Sequence, residues 1–95
     1  MRSKKIRWLS VSERDLLRLY DFLQEVNPNA AARKVQNLIA ATEKLIDHPR
    51  LGHACDEYAG REVRSLISRD YEIRYEVTVD SVIILRVWHS REGRS

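Results

Sequence analysis

Residues 71–79 have the sequence YEIRYEVTV, in which apolar and polar side chains alternate without interruption. A two-residue period is that of a β-strand, because successive side chains point to opposite faces of a sheet. Tyr71, Ile73 and Tyr75 are therefore expected on a buried face, and Arg74 on a face in contact with solvent or a partner. This stretch predicts a strand with one side in the core.

Two further strands are predicted beside this one. The segment 61–67 precedes it, and the apolar run VIILRVW at residues 82–88 follows it across a turn at Asp80 and Ser81. A continuous apolar run of this length indicates the best-buried strand of the three. Because tight turns join the three strands, we expect a three-stranded antiparallel meander.

The segment after residue 9 predicts an amphipathic helix. Ser10 and Glu13 have the spacing of a capping box, and Ser12 is a competing cap, so the helix should begin here. Apolar side chains then recur at intervals of three to four residues and form one stripe. The stripe consists of Leu16, Leu19, Tyr20, Leu23 and Val26.

A second helix is expected directly after the first. Asn27 is a good helix cap and Pro28 suits a first helical position, because that position needs no backbone N–H. The helix should end near His48, since Pro49 disfavours helical geometry in the residue before it. So short a junction predicts an antiparallel helical hairpin.

Alternation over residues 4–9, with Ile6 and Trp8 on one side, adds an N-terminal strand. The predicted fold is a single α+β domain over residues 1–95, whose helical hairpin packs on one face of the meander. Residues 50–60 are polar and irregular, with Gly52 and Gly60 at turns. The expected core is Leu16, Leu19, Leu23, Val35, Leu38, Ile39, Ile73, Tyr75, Val77, Ile83 and Leu85.

The face of the sheet opposite the helices is predicted to be open and basic. If Ile73 and its alternating neighbours face the helices, Arg74 faces outward. Arg64 and Arg86 stand among core-seeking residues in the adjacent strands. We therefore expect these three arginines to share the open face with Trp88, Arg74 as a cross-strand partner of acidic residues and Arg86 stacked on the indole.

Composition excludes several classes of protein. The 95 residues are 33% charged, with a net charge of +3 and an isoelectric point near 9.3, which suits an acidic partner. A single cysteine, Cys55, cannot form an internal disulfide, so a cytoplasmic location is expected. The apolar stretch after the basic start is interrupted at Ser10, Ser12 and Glu13, so we expect no membrane segment. His48, His53 and Cys55 lack a fourth ligand, and we therefore expect no metal and no cofactor.

The order of several motifs resembles the RelE/ParE toxin family over about nine-tenths of the chain. The first half contains Asp15-Leu16, then NPNAA at residues 27–31 and LIDHPRLG at residues 45–52. The second half contains RSL at residues 64–66, YEIRYEV at residues 71–77 and LRVWHSR at residues 85–91. These segments are similar to the arginine strand, the tyrosine strand and the closing strand of the family.

The resemblance implies a toxin that a co-expressed antitoxin neutralises, with DNA contact only as a toxin–antitoxin complex. RelE-like members cut messenger RNA in the ribosome, whereas ParE-like members disable DNA gyrase. The chain ends in Glu92-Gly93-Arg94-Ser95 without the tyrosine that often follows the closing motif in RNA-cutting members. A ParE-like gyrase inhibitor is therefore favoured, with a ribosome-dependent endonuclease and a non-toxic antitoxin-binding module as alternatives.

Each branch assigns different roles to the same residues. In a nuclease, the resemblance places catalytic groups at Arg64, His89 and Arg91, which would activate the ribose hydroxyl and stabilise the phosphorane. In a gyrase inhibitor, target contacts are expected from the closing strand and tail, since Trp and Arg dominate binding hot spots. That set is Trp88, His89, Arg91 and Arg94. Leu17 and Phe22, off the main stripe of the first helix, are the expected antitoxin contacts.

Overall fold

All the predicted elements are present in residues 4–92, the part of the chain that the computed structural model describes. Two α-helices lie between the first strand and the others, and a single 3₁₀ turn, Lys44–Ile46, extends the second helix. In chain order the elements are β1 (Lys5–Trp8), α1 (Ser10–Val26), α2 (Ala31–Glu43), β2 (His53–Ala54), β3 (Glu62–Ser68), β4 (Tyr71–Val77) and β5 (Ser81–His89).

The strands form one mixed sheet in the order β1-β5-β4-β3-β2. The meander β3-β4-β5 is antiparallel as predicted, and β1 extends it by pairing parallel to the first half of β5. The helices pack against one face of the sheet, with α1 directly on β5. The α+β class is confirmed, and the addition is β2, a two-residue edge strand in the segment expected to be irregular.

The core lies between this face and the helical hairpin. Six of the predicted core residues are buried there: Leu19, Leu23, Leu38, Ile73, Tyr75 and Val77. Leu16 and Val35 pack only at the margin of the core, and Ile39 is partly exposed. Alternation along β4 therefore predicted its buried side chains correctly, because both neighbours of this strand pair with it over its length.

The predicted orientation of β5 was wrong. Val82, Ile84 and Val87 are fully buried in the core, whereas Ile83 and Leu85 are not. The spacing from Ile84 to Val87 breaks a two-residue period because the register between β4 and β5 shifts at Arg74 and Tyr75. A β-bulge of this kind places an extra residue in one strand, and alternation along the sequence cannot locate it.

The helix boundaries also differ from the expectation. Leu9 occupies the N-cap position of α1 without a side-chain cap, and the Ser12 hydroxyl instead donates to the Leu9 carbonyl over 2.7 Å. The predicted capping box is therefore not formed. Residues 28–30 make a turn between the helices, so α2 begins at Ala31 and not at Pro28.

Gly52 has a packing role that its predicted turn role did not include. A Cβ atom there would lie 2.7 Å from the Ser65 carbonyl oxygen, so only glycine fits. The close approach lets the Gly52 amide donate to the Tyr75 hydroxyl over 2.9 Å, and that hydroxyl donates to the Pro49 carbonyl over 2.7 Å. Gly60 has a φ of +76° and so supplies the predicted turn.

The second face of the sheet is less open than predicted. Val63 and Ser65, which pair with Glu76 and Arg74 on that face, are almost fully buried. The segment 55–61 turns back over them, since the Cys55 amide donates to the Val63 carbonyl and Tyr58 accepts a hydrogen bond from Arg74.

Two further features of the fold bear on function. Within the described part of the chain, α1 and α2 are the α-helices, and neither has the length and apolarity to cross a bilayer. No three histidine, cysteine or acidic side chains of residues 4–92 lie close enough to hold a metal ion, and this includes the trio His48, His53 and Cys55.

Replacing Leu38 with Ala tests the predicted core. This side chain is 2% exposed, so its truncation should lower the free energy of unfolding by about 2–5 kcal/mol. The same substitution at Leu17, which is 68% exposed, should change it by less than about 0.5 kcal/mol. Urea denaturation measures both, and equal effects would contradict the assignment of the core.

Candidate functional site

Arg64 does not lie where the sequence placed it. In the register of β3 and β4 it is opposite Tyr75, and directly paired residues share one side of a sheet. Arg64 therefore lies on the helix side, where it donates to the Gly52 carbonyl over 2.7 Å and to Glu62 over 2.9 Å. The predicted grouping with Arg74, Arg86 and Trp88 was wrong for this residue. The two-residue turn at positions 69–70 sets the register of β3 and β4, and this register determines the side of the sheet on which Arg64 lies.

Trp88 and two arginines form the cluster that the sequence did predict on the other face. The guanidinium carbon of Arg74 lies 4.9 Å from the centroid of the Trp88 ring, and that of Arg86 lies 5.3 Å away. Arg74 also donates to Glu72, which is opposite Trp88 in the register of β4 and β5. Two cations thus stack on one half-buried indole, where each cation–π contact contributes about 0.5–1 kcal/mol.

A buried carboxylate on α1 holds the strand that carries this cluster. Asp15 is 2% exposed and accepts hydrogen bonds from Nε and Nη2 of Arg86, at 2.8 and 3.1 Å. It also accepts the Val87 amide over 2.9 Å. Since β1 pairs only with residues 81–84 of β5, this amide is on an uncovered edge, and the carboxylate takes the place of a neighbouring strand.

Arg18 and Glu92 complete the cover of the same edge. Arg18 donates to the Val87 carbonyl, to Asp15 and to both carboxylate oxygens of Glu92. Glu92 in turn accepts the His89 amide over 2.9 Å. The residues after β5 are therefore fastened to α1 through charge-assisted hydrogen bonds, which are stronger than neutral ones.

These contacts determine the ionisation of both carboxylates. Burial by itself raises the pKa of Asp15, but the hydrogen bonds from Arg86, Val87 and Arg18 outweigh it and hold the pKa below its ordinary value. The pKa of Glu92 is also lowered, mainly by the hydrogen bond from Arg18 and against the effect of burial. Both groups are therefore charged near neutral pH.

His89 lies inside the domain at the end of β5. Its ring centroid is 5.2 Å from that of Phe22 and 5.1 Å from that of Tyr71, edge to face with the tyrosine. Its Nδ1 accepts the backbone N–H of Arg91 over 3.0 Å. The ring thus packs in the core and fixes the turn that follows β5, while the side chain of Arg91 is exposed.

The three residues predicted for a nuclease do not come together. Arg64 is opposite Tyr75 and His89 is opposite Tyr71, on either side of β4. From the strand rise and strand spacing, their Cα atoms are about 16 Å apart. Arg64 and His89 also have separate partners, at Gly52 and at Arg91 respectively.

The remaining predicted contacts have mixed outcomes. Leu17 is exposed on α1, as a partner-binding residue should be. Phe22 is instead half-buried and packs against the core and His89, so its expected exposure was wrong. Arg94 lies outside the described residues.

Asp15, Arg18 and Glu92 were not predicted from the sequence as a structural unit. A signal for Asp15 was present, because it lies four residues before Leu19 on the apolar side of α1. A charged residue at a buried helical position needs a partner, but neither periodicity nor spacing identifies one that is 71 residues away.

The chain is similar to known toxins over most of its length. The profile described as "ParE toxin of type II toxin-antitoxin system, parDE" matches residues 6–93. Toxin RelE3 of Caulobacter vibrioides is 31% identical over 83 residues, which are 87% of this chain and 90% of the relative. Toxin RelE1 of the same organism is 36% identical over 84 residues, which are 87% of this chain and 89% of the relative.

Two solved structures have a similar fold. The chromosomal ParDE toxin–antitoxin system from P. aeruginosa gives a TM-score of 0.73 at 20% identity, over 90% of this chain and 95% of that one. The toxin–antitoxin complex RelBE2 from Mycobacterium tuberculosis gives a TM-score of 0.65 at 27% identity, over 93% of this chain and 99% of that one.

Replacing Asp15 with Asn tests the role of the buried carboxylate. The change leaves Arg86 without its charged acceptor and leaves Arg18 with Glu92 alone, and it should lower the free energy of unfolding by about 2–4 kcal/mol near pH 7, allowing for the solvent exposure of both arginines. Because the folded-state pKa of Asp15 is lowered, its contribution is complete above the unfolded pKa of about 3.9 and is lost as the pH falls through the folded value.

The difference in stability between the wild-type chain and Asp15→Asn should therefore shrink in acid. Denaturation curves collected between neutral pH and the acid range measure this difference. Asp21→Asn is the control, since Asp21 is exposed on the same helix and should have little effect. A difference that does not depend on pH would mean that the Asp15 charge is not what stabilises the edge.

Proposed function

The chain belongs to the RelE/ParE family of toxins of type II toxin–antitoxin systems, and on that premise we propose that it is a ParE-like toxin that inhibits DNA gyrase. The family profile that matches residues 6–93 is that of ParE toxins. On this proposal the protein acts by binding its target and makes or breaks no bond in RNA.

The separation of Arg64 from His89 is the observation that carries the proposal. A ribonuclease needs a base, an acid and cations around a single phosphate. Here Arg64 donates to Glu62 and Gly52, and the His89 ring is enclosed by Phe22 and Tyr71. The arrangement supports structural roles for both residues and a binding function for the surface around them.

The proposed target surface is the exposed end of β5. Trp88 supplies a half-buried indole flanked by the guanidinium groups of Arg74 and Arg86, and the exposed Arg91 lies three residues further along the chain. Trp and Arg are the residues that contribute most in measured binding hot spots. The sequence adds Arg94 to this set, and His89 acts from behind by fixing the turn at Arg91.

A ribosome-dependent endonuclease is the second candidate function. The observation in its favour is that both similar proteins of Caulobacter vibrioides are named RelE toxins. A module that binds an antitoxin and has no toxicity is a third outcome, and it predicts neither activity.

We further propose that an antitoxin covers α1. The similar mycobacterial structure is a toxin–antitoxin complex, and the similar Pseudomonas structure is of a ParDE system. Leu17 is a large apolar side chain in the middle of α1 with 68% of its surface exposed. An exposed apolar side chain on a helix suits contact with an amphipathic segment of the cognate antitoxin.

The purified chain should stabilise a gyrase–DNA break and leave ribosome-bound messenger RNA intact. Supercoiling and DNA-cleavage assays with gyrase, run beside messenger cleavage on ribosomes, measure both activities. Cleavage of messenger by the wild-type chain, abolished by Arg64→Ala, would establish the nuclease instead. Absence of both effects would favour the non-toxic module.

Replacing Trp88 with Ala should raise the concentration needed to inhibit gyrase by about tenfold or more, because a central hot-spot side chain is lost. Arg14→Ala, at an exposed position of α1, should leave inhibition unchanged. A companion truncation removes only residues 93–95. Glu92 is kept, because its carboxylate accepts hydrogen bonds from Arg18 and from the His89 amide. Equal inhibition by the Trp88 and Arg14 variants would exclude this surface as the gyrase contact.

Replacing Leu17 with Ser should weaken antitoxin binding by about 10- to 100-fold, since a buried leucine contributes about 1.5–3 kcal/mol. Isothermal titration with the product of the neighbouring gene measures this change. Val79→Ser is the control, because Val79 is 93% exposed in the turn between β4 and β5, away from α1. A larger loss at Val79 than at Leu17 would move the antitoxin to another surface.

A further inference from the structure

A basic cavity of about 220 Å³ lies between the first turns of α2 and the turn that joins β3 to β4. Trp88 lines an adjacent, more apolar pocket, which shares Arg69, Asp70 and Tyr71 with this cavity. Its walls are formed by Arg33, Lys34, Asn37, Arg69, Asp70 and Tyr71.

The charges around this cavity are not balanced by the protein. Three cationic side chains face one carboxylate, that of Asp70. Within residues 4–92, Arg33, Lys34 and Arg69 form no ion pair, whereas Arg18, Arg64, Arg74 and Arg86 all do. The cavity therefore concentrates positive potential that an anion would neutralise.

The position of two of these cations is unfavourable for the helix itself. Arg33 and Lys34 lie at the start of α2, which has no acidic residue in its first turn and no side-chain cap. The N-terminus of a helix carries partial positive charge, so cations there are repelled and an anion is attracted. Arg33 and Lys34 therefore do not stabilise α2 locally, and an anionic ligand would explain why cations occur at these positions.

The backbone at Arg69 is also unusual. Its φ of +56° is in the left-handed region of backbone conformation, which residues other than Gly, Asn and Asp rarely adopt. A glycine would suit the first position of this two-residue turn better. The strained turn holds an arginine side chain at the wall of the cavity.

Tyr71 contributes a hydrogen-bond donor without an acceptor. It is 8% exposed, and its hydroxyl is buried with no partner among the described residues. Burial, together with the nearby Asp70 charge, raises the pKa of this phenol, so the hydroxyl remains protonated. A buried, unsatisfied hydroxyl is destabilising unless a ligand completes it.

We propose that this cavity is a phosphate-binding site. Arg33 and Arg69 offer the planar forks that bind phosphate oxygens in pairs, Lys34 adds a point charge, and Asn37 and Tyr71 add neutral donors. A carboxylate has only two oxygens and a single charge, so it would leave some of these donors without an acceptor. A phosphate group has more acceptor oxygens and, as a monoester, up to two charges.

The site does not rest on the proposed gyrase inhibition, and the four residues of the proposed target surface that the structure describes, Trp88, Arg74, Arg86 and Arg91, do not line the cavity. The phosphate could come from a small nucleotide or from the backbone of a nucleic acid, and both present the same chemistry to these residues. A small nucleotide and a nucleic acid differ in the number of charges that they carry, so the salt dependence of binding distinguishes them.

The test is a titration of the full chain with inorganic phosphate at low ionic strength, followed by NMR at backbone amides. Saturable shifts are expected at residues 33–37 and 69–71. Arg33→Ala should weaken phosphate binding by about tenfold or more, because it removes a charge-assisted hydrogen-bonding group. Lys44→Ala, which removes an exposed cation beyond the end of α2, should not.

Two further variants separate ligand binding from folding. Arg69→Gly relieves the backbone and Tyr71→Phe removes the unsatisfied hydroxyl, so each should preserve or raise thermal stability while weakening phosphate binding. Shifts that do not saturate, or equal losses in Arg33→Ala and Lys44→Ala, would overturn the site. Unchanged binding in both Arg69→Gly and Tyr71→Phe would also overturn it.

Competition then identifies the source of the phosphate. Displacement of inorganic phosphate by a 5′-mononucleotide, but not by an oligonucleotide without terminal phosphates, would assign a monoester. Displacement by the oligonucleotide, with a steep salt dependence, would assign a nucleic-acid backbone. Displacement by an acidic peptide and by neither phosphate compound would overturn the assignment in favour of a carboxylate.

Discussion

The hydrogen bond from the Val87 amide to the Asp15 carboxylate is the contact on which the arrangement of β5 depends. Strand β1 covers only the first half of this edge, and an amide left there inside the domain would be costly. Asp15 accepts hydrogen bonds from that amide and from Arg86, and Arg18 donates to the Val87 carbonyl. One turn of α1 thereby substitutes for the missing strand, and it fixes the helix on the sheet.

The irregular geometry of β5 has consequences for every residue after its bulge. Val87 enters the core beside Ile73, so Trp88 faces the other side of the sheet with Arg74 and Arg86. His89 then packs between Phe22 and Tyr71, and Glu92 returns to Arg18. The half-buried position of Trp88 on one face and the burial of His89 on the other follow from a shift of one residue, because side chains alternate along a strand.

Two sets of arginines in this chain differ in their surroundings. Arg18, Arg64, Arg74 and Arg86 have carboxylate partners and hold the edge, the loop or the second face in place. Arg33 and Arg69 have none within residues 4–92 and line one cavity. Both side chains are exposed, so solvent screens their charges, and it is their convergence on one cavity that a bound anion would explain.

The sequence by itself determined the two helices, the strands β1, β3, β4 and β5, the buried side of β4 and the family, because each rests on local period or on the order of motifs. Alternation placed Tyr71, Ile73 and Tyr75 in the core correctly. Only the tertiary structure decided the side of Arg64, the buried side of β5 and the lone hydroxyl of Tyr71. These depend on a hairpin register, on a bulge and on contacts such as that of Asp15 with Val87, 72 residues apart, and no periodicity within one segment encodes a contact between segments.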